Sequence, residues 1–306
     1  MTRVSCGLSG LWVLAWCAAA WGEPIDLQPY QIDWSQAEQS AVDMSRYLDA
    51  PAGKAGPIRV EGPRLVKPDG TRFRIWGVNL TGPECFPPKE LAPRIADDLA
   101  RFGVNCVRFH HMDGTWSPLF DKTRQDTSQF DPAAMDRLDF FIAELKARGI
   151  YSNLNLNVSR QHKPGDGVRD AELLGYGKSA TYFHPRLIEL QQDFARKLLT
   201  HFNPYTRQPY RHEPAVCTVE LVNENSVLEG WVNHRLVGSD DPAGQATWRP
   251  IPVSYANELT DQYNAWLEQH LAPAELKQLR GEAGSDRVER LAPREFGKAS
   301  KLRFFT

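Results

Sequence analysis

Two adjacent polar residues, Asn223 and Glu224, end a long apolar run that starts at Ala215. The run is rich in valine and about ten residues long, which is typical of a buried β-strand. Alternation along such a strand puts Glu220 and Glu224 on one face. The apolar side chains of the other face are Cys217, Val219 and Leu221. A carboxyl group kept neutral by burial can act as a general acid and base, and Glu224 is the first candidate. The alternative is a strand-end glutamate in solvent.

A second strand, Val104–His110, carries further charged candidates. Arg108 and His110 share one face of it, opposite its apolar residues. One interpretation of Arg108 is a structural ion pair with Glu220, which is compatible with a role in positioning the site. His110 and His111 are both candidates for ligand contact. Because adjacent residues of a strand point to opposite faces, the two histidines cannot easily share a metal ion, and no metal site is predicted.

Asparagines occur at the ends of two more predicted strands. Asn79 lies near the end of Ile75–Leu80, and Asn155 and Asn157 lie on Ile150–Asn157, where asparagines alternate with leucines. Asn79 and Asn157 also fit the pattern of a glycosylation acceptor. Their position at strand ends favours a place at the mouth of the sheet instead.

Apolar periodicity predicts the elements that position these residues. Four strand–helix pairs follow one another, which predicts an α/β fold with a parallel sheet. The predicted helices are Pro88–Phe102, one capped by Asp131 and ended by Gly149, Pro185–Phe202, and one that opens at Ser254. Long loops follow the strands, at 111–130, 158–184 and 225–253. A barrel holds its chemistry in such loops at the carboxyl ends of strands. A hairpin turn is predicted at Asp69-Gly70, ahead of the first strand.

Three motifs carry a resemblance to a known family. Glu220-Leu-Val-Asn-Glu224, with Trp76-Gly-Val-Asn79 and Val107-Arg-Phe-His110, resembles the strand motifs of clan A glycoside hydrolases, the cellulase-like family 5 enzymes especially. The proline that usually follows the glutamate is Asn225 here. The resemblance covers about residues 57–270. It implies a (β/α)8 TIM-barrel fold and hydrolysis of O-glycosidic bonds in a polysaccharide or oligosaccharide.

The resemblance also implies roles for individual residues. In that family the glutamate of the Asn-Glu pair is the acid/base, which corresponds to Glu224, and the asparagine contacts a sugar hydroxyl, which corresponds to Asn223. An arginine usually steadies the nucleophile, which corresponds to Arg108. The residues expected to bind substrate are His110, His111, Asn79, Asn155, Asn157 and Trp231. No cofactor is implied.

Several loop residues have two interpretations. Trp231 and Trp248 follow Glu224 and are expected either to stack on sugar rings or to pack in the core. The remaining candidates for sugar contact are Glu84, Asp113 and Trp116, for which solvated loop positions are the alternative.

The number of predicted strands falls short of a whole barrel. A (β/α)8 barrel has eight strands in about 250 residues, and only four are predicted here, with no strand pattern in 272–306. We expect residues 57–306 to hold about the first four βα units of an incomplete barrel. The nucleophile is then expected beyond the chain end, a missing C-terminal half is an expected partner, and the chain alone is expected to be inactive. The alternative is a non-catalytic carbohydrate-binding or structural remnant.

The N-terminus predicts export. Arg3 precedes the apolar run Leu8–Ala20, and Gly22 completes a small-residue cleavage site, so residues 1–22 fit a signal peptide. The run is too short to span a bilayer, and no membrane anchor is predicted. Residues 23–56 are expected to form a linker or flap. The expected location is secreted or periplasmic.

The composition indicates which kinds of binding partner and cross-link the chain can have. The formal net charge of −2 with scattered basic residues gives no basis for nucleic-acid binding. Three cysteines remain after the leader, Cys85, Cys106 and Cys217. Their odd number and wide spacing predict core thiols rather than a disulfide framework.

Overall fold

The computed structural model describes residues 42–241, 249–288, 291 and 298–306. The chain divides into two units, Met1–Ser40 and Ala41–Thr306. The first unit holds the predicted signal peptide and much of the predicted flap, and it lies outside the described residues, as does Trp248. Every strand and helix described belongs to the second unit.

Eight strands are described. They are β1 (Arg59–Glu61), β2 (Arg64–Val66), β3 (Gly77–Thr81), β4 (Cys106–His110), β5 (Tyr151–Asn155), β6 (Phe202–Asn203), β7 (Gln208–Pro209) and β8 (Val216–Glu220). The central sheet has the order β3–β4–β5–β8, and all of its pairings are parallel. The predicted α/β fold with four parallel strands is therefore confirmed. The short antiparallel pair β6–β7 was not predicted.

The helices lie between and after these strands. They are α1 (Ala92–Arg101), α2 (Pro132–Ala147), α3 (Ala171–Leu174), α4 (Pro185–Thr200), α5 (Val227–Val232), α6 (Val253–His270), α7 (Pro273–Ala283) and α8 (Lys298–Phe305). The four predicted helices correspond to α1, α2, α4 and α6, with α1 starting later than predicted. Among the described residues, no helix combines the length and the apolar character that crossing a membrane requires.

Helix α2 shows how local sequence produces an element of the core. The Asp131 carboxylate accepts the backbone N–H of Ala134 at 2.7 Å, a cap that stabilises a helix by about 1 kcal/mol. Pro132 occupies the first helical position, where its missing N–H costs no hydrogen bond. The predicted apolar stripe is buried, and the ring of Phe141 lies 6.0 Å from that of Phe109 on β4. The core therefore lies between the helices and one face of the sheet.

Two hairpin turns precede the sheet. β1 and β2 pair across a two-residue turn at Gly62-Pro63, and Gly62 takes the positive φ of 58° that glycine tolerates. The predicted turn at Asp69-Gly70 is present, closed by a single antiparallel bridge between Val66 and Arg72. The hairpin prediction is thus confirmed, with more of the pairing at the earlier turn.

Strand β8 departs from the predicted alternation. Val216 lies opposite Ser152 and Thr218 lies opposite Asn153, so Cys217 is an extra residue in a bulge. Its sulfur lies 3.8 Å from that of Cys106. The prediction that Cys217 faces the helices is wrong, because the bulge turns it to the same side as Cys106.

The expected helical cover of this edge of the sheet is also missing from the described residues. Val219 is 37 % exposed and Leu221 is 72 % exposed. Leu221 lies past the end of β8, so the alternation that would direct it toward a helix no longer applies.

Candidate active site

One face of the central sheet is polar toward the carboxyl ends of its strands. The opposite face packs against the helices through Val107, Phe109 and Leu154. Two rows cross the polar face, Asn79–Arg108–Asn153–Thr218 and, one step nearer the carboxyl ends, Thr81–His110–Asn155–Glu220. The structure therefore brings Asn79, Arg108, His110 and Asn155 to one face, as the alternation predicts.

Arg108 links this face to the residue before Glu224. Its Nε donates to Glu220 Oε2 at 2.5 Å and its Nη2 to Glu220 Oε1 at 3.1 Å. The same Nη2 donates to Asn223 Oδ1 at 2.9 Å. The rigid guanidinium fork holds a carboxylate in two-point geometry better than an ammonium can. The predicted ion pair is present, and it also fixes Asn223, which is only 8 % exposed.

Asn155 and His110 complete the support of Glu220. The Asn155 amide donates to Glu220 Oε2 at 2.5 Å and contacts His110 Nδ1 at 3.1 Å. Burial lowers the pKa of His110 to about 4, and the neighbouring His111 and Arg108 shift it in the same direction. His110 is therefore neutral near pH 7, and its Nδ1 can accept the amide N–H. Glu220 receives hydrogen bonds from both Arg108 and Asn155.

Glu224 lies beyond the strand rather than on it. β8 ends at Glu220, so the prediction of a strand reaching Glu224 is wrong. After the strand, the Asn223 N–H donates to the Asn157 carbonyl at 2.9 Å, which keeps this segment beside the end of β5. Glu224 itself is exposed, as in the alternative interpretation, so the burial expected to keep its carboxyl group neutral is wrong. Its φ is 44°. Left-handed backbone in a residue other than glycine is uncommon, and such residues cluster at functional sites.

Lys178 is the site residue that sequence reasoning missed. Its Nζ donates to the carbonyl oxygens of Asn223 at 3.1 Å and Glu224 at 3.4 Å. Burial lowers the pKa of Lys178, and the Glu224 charge opposes that shift. The available signal in the sequence was a lysine beside Gly175 and Gly177 in the long segment between β5 and α4. Nothing in the sequence places that loop against Glu224.

His111 begins the loop after β4. Its φ is 54°, and its Nδ1 lies 2.8 Å from Ser159 Oγ. Its ring lies 4.1 Å from that of His110 and 5.3 Å from that of Trp116. Burial lowers the pKa of His111, while the charges of Asp113 and Glu224 oppose the shift. His111 thus lies within the electrostatic reach of Glu224.

Asp113 is a structural anchor. It is almost fully buried, and its carboxylate accepts the backbone N–H groups of Val158 at 2.9 Å, Ser159 at 3.0 Å and Arg160 at 3.2 Å. Burial raises the pKa of Asp113, and these hydrogen bonds oppose the shift. The alternative of a solvated loop residue is therefore wrong. Asp113 ties the loop after β4 to the loop after β5.

Two predicted substrate-binding residues do not face the mouth. Asn157 donates its amide to Gln191 of α4 at 2.7 Å, because β5 ends at Asn155 and the alternation ends with it. Trp231 is 3 % exposed and packs against Phe305, with 5.7 Å between ring centroids. For Trp231 the core-packing interpretation is correct and the stacking interpretation is wrong.

Comparisons with known proteins find matches among solved structures. No family model matches the sequence, and no curated protein matches it. An endo-1,4-β-mannanase from Rhizomucor miehei matches at 17 % identity over 70 % of this chain and 58 % of its own, with a TM-score of 0.46. An endo-β-1,4-mannanase from Thermotoga petrophila matches at 20 % identity over 55 % and 40 %, with a TM-score of 0.38. A glycoside hydrolase family 5 mannosidase from Rhizomucor miehei matches at 13 % identity over 59 % and 50 %, with a TM-score of 0.42.

Of these three, the mannosidase is named as a member of the family that the strand motifs resemble. The chain spans only 40 to 58 % of the length of these solved structures. Likeness at such TM-scores and identities says nothing of what this chain binds or cleaves. Function has to follow from the site itself.

The site combines one exposed carboxyl group with a set of fixed hydrogen-bonding groups. Glu224 can exchange a proton with a bound molecule, and Asn223 and the neutral His110 can hydrogen-bond hydroxyl groups. Glu220 is held by Arg108 and Asn155. In the described part of the chain, no group of three histidine, cysteine or acidic side chains is placed to hold a metal ion.

Proposed function

We propose that this protein hydrolyses O-glycosidic bonds of a polysaccharide or oligosaccharide by a retaining mechanism, with Glu224 as general acid and base. The observation that carries the proposal is the 2.9 Å contact from Arg108 to Asn223, directly before the exposed Glu224. That contact ties the Asn-Glu pair to a rigid strand. A catalytic group must be held in this way to stay in productive geometry.

The neighbours of Glu224 support the role. Because Asn223 Oδ1 accepts from Arg108, its NH₂ group is the part that can donate to a sugar hydroxyl. His110 is neutral near pH 7, since burial lowers its pKa to about 4, and it can exchange hydrogen bonds with hydroxyls without adding a charge. The polar face of the sheet therefore suits a neutral, hydroxyl-rich ligand.

The mechanism requires a second carboxylate. In a retaining glycosidase two carboxyl groups lie about 5 to 5.5 Å apart across the scissile bond. Glu220 is occupied by hydrogen bonds from Arg108 and Asn155. We propose that the nucleophile lies on a strand beyond the four of the central sheet, as the resemblance implies for the seventh strand of the barrel, past Thr306.

The proposed steps follow from these assignments. Glu224 protonates the leaving oxygen while the nucleophile attacks the anomeric carbon and forms a glycosyl-enzyme ester. Glu224, now ionised, removes a proton from water, which displaces the ester and restores both carboxyl groups.

A second candidate function is non-catalytic carbohydrate binding. The engagement of Glu220 by Arg108 and Asn155 favours it, because of the two glutamates at this end of β8, Glu220 and Glu224, only Glu224 is not held by that network among the described residues. Such a site can bind sugar hydroxyls without cleaving a glycosidic bond.

Release of reducing sugar from mannan, cellulose and xylan tests the proposal. We expect no turnover by the 306-residue chain, together with measurable oligosaccharide binding by calorimetry. A longer form with four further βα units should hydrolyse one of the polysaccharides and lose about 10²-fold or more in Glu224→Gln, the scale of general acid catalysis. The matched control is Glu172→Gln, which changes an exposed carboxylate of α3.

Two outcomes contradict parts of the proposal. Turnover by the 306-residue chain that disappears in Glu224→Gln would place the nucleophile among these residues. An absence of sugar binding in every form would remove both candidate functions.

We also propose that the protein is exported and that residues 1–22 are removed. The pattern of Arg3, Leu8–Ala20 and Gly22 supports this proposal. N-terminal sequencing of the expressed protein tests it, and an intact Met1 with retention in the cytoplasm is the contrary result.

A further inference from the structure

Trp116 lies beside the polar face of the sheet, and 42 % of its surface is exposed. Its ring lies 5.3 Å from that of His111, and His111 lies 4.1 Å from His110. His110 contacts Asn155, which donates to Glu220. A continuous series of side-chain contacts therefore leads from the exposed indole to the carboxylate at the end of β8.

Two glycines from different loops lie against this indole. Gly82 follows β3 and Gly114 lies in the loop after β4. A Cβ added at Gly82 would lie 2.3 Å from Trp116 Nε1, and one at Gly114 would lie 3.0 Å from Trp116 Cζ2 and Cη2. A Cβ at Gly82 would collide with the indole, so this approach requires glycine, whereas a Cβ at Gly114 would make a tight contact with it. The position of the ring is therefore set by two loops together.

The loop that carries Trp116 is itself rigid. The buried Asp113 carboxylate binds three successive backbone N–H groups of the loop after β5, and Gly114 forms an antiparallel bridge with Arg160. A rigidly held aromatic ring loses little conformational freedom when a ligand covers it, so its apolar area is available for binding.

The chemistry of the surroundings defines what can cover the ring. A flat apolar face beside neutral imidazoles and amides suits a ligand with one apolar face and a rim of hydroxyl groups. A pyranose ring has this character, since its axial C–H groups form an apolar face.

We propose that Trp116 is the stacking platform for the pyranose next to the one bound at Glu224. This proposal rests on the proposed glycosidase function and adds a second sugar-binding position to it. The platform lies on the loop after β4, whereas Trp231, in the segment after Glu224, is buried.

Calorimetric titration of the Glu224→Gln protein with mannohexaose, cellohexaose and xylohexaose tests the platform without interference from turnover. We expect the added change Trp116→Ala to raise the Kd of the hexaose that binds by about three- to tenfold, the range of aromatic contacts. Trp116→Phe should restore most of the affinity. The matched control is Trp76→Ala, which removes an equally large ring that is 69 % exposed but precedes β3 at the opposite end of the sheet.

The outcomes separate the two proposals. An unchanged Kd in Trp116→Ala, with measurable binding in the parent, overturns the platform and leaves the glycosidase function standing. A parent that binds none of the three hexaoses, both as the 306-residue chain and as the longer form, overturns the glycosidase function and the platform with it. An equal loss of affinity in Trp76→Ala also overturns the platform, because the loss is then unrelated to position at the mouth.

Discussion

The same face of the central sheet is apolar at the amino ends of its strands and polar at their carboxyl ends. At the amino ends, Ala52, Phe73, Cys106, Tyr151, Ala215 and Cys217 form what we name the lower cluster. At the carboxyl ends, the mouth of the sheet is formed by Arg108, His110, Asn155, Glu220 and Asn223. On β4 only one residue separates Cys106 of the lower cluster from Arg108 of the mouth.

The difference shows that position along a strand decides what a side chain contributes. In the lower cluster the rings of Phe73 and Tyr151 lie 4.9 Å apart, and apolar burial stabilises the fold. At the mouth the side chains bind one another through charge-assisted hydrogen bonds and leave Glu224 exposed. Barrels divide stability and chemistry between their two ends in this way.

The strongest test of this division is Tyr151→Ala in the lower cluster. Removing a buried aromatic ring destabilises a core by about 3 to 5 kcal/mol, and here the Gly53 N–H also loses its acceptor, the Tyr151 hydroxyl at 3.1 Å. Urea unfolding should show this loss. Tyr151→Phe, which keeps the ring, should cost about 1 to 3 kcal/mol for the unsatisfied N–H. A cost below about 1 kcal/mol for Tyr151→Ala would contradict the structural role of the lower cluster.

Arg108→Leu tests the mouth by urea unfolding and by calorimetric titration with the hexaoses. We expect a loss of about 1 to 3 kcal/mol in unfolding free energy from the lost charge-assisted hydrogen bonds, together with a larger change in function. Hexaose binding should weaken about tenfold or more, because Asn223 loses its fixed position. Arg108→Lys should recover only part of the affinity, since an ammonium cannot reproduce the fork. Unchanged binding with lowered stability would make Arg108 purely structural.

Lys178→Met tests how much the loop that contacts the backbone of Asn223 and Glu224 contributes to the mouth. The two carbonyl oxygens lose a shared donor, for which we expect a cost of about 1 kcal/mol in stability. The left-handed backbone at Glu224 should lose part of its support, so hexaose affinity should also fall. Lys178→Arg, which keeps a donor and a charge, is the matched control. Equal affinity in Lys178→Met and the parent would show that Glu224 needs no such support.

The smallest expected effect is a pH dependence from His110. Its folded pKa of about 4 lies below its ordinary value, so the unfolded chain binds more protons between these pH values. The contribution to stability is full above about pH 6.5 and is lost as the pH falls toward 4. His110→Gln should therefore reduce the fall in Tm between pH 7 and pH 4.5. His162, whose pKa burial lowers to about 3, acts in the same direction and preserves part of the slope. An identical slope in both proteins would show that His110 is not held neutral.

The sequence by itself determined the elements whose signals are local. The stripe of α2, its Asp131 cap and the alternation on β4 and β5 each extend over a few turns or strand residues, so neighbouring positions in the chain decide them. The same alternation predicted that Arg108 and Glu220 share a face, and the ion pair follows from it. Local periodicity was therefore sufficient for four strands and the polar face.

Only the tertiary structure decided the features that depend on pairing between distant segments. The bulge at Cys217 arises where β8 pairs with β5, and it changes which residues face inward without any mark in the sequence of β8. The end of β8 at Glu220 and the approach of Lys178 to Asn223 depend on loops folding back over many residues. Trp231 is buried for the same reason, since the ring that covers it, Phe305, lies far along the chain. Such contacts are set by the free energy of the whole packed unit, which a window of sequence does not contain.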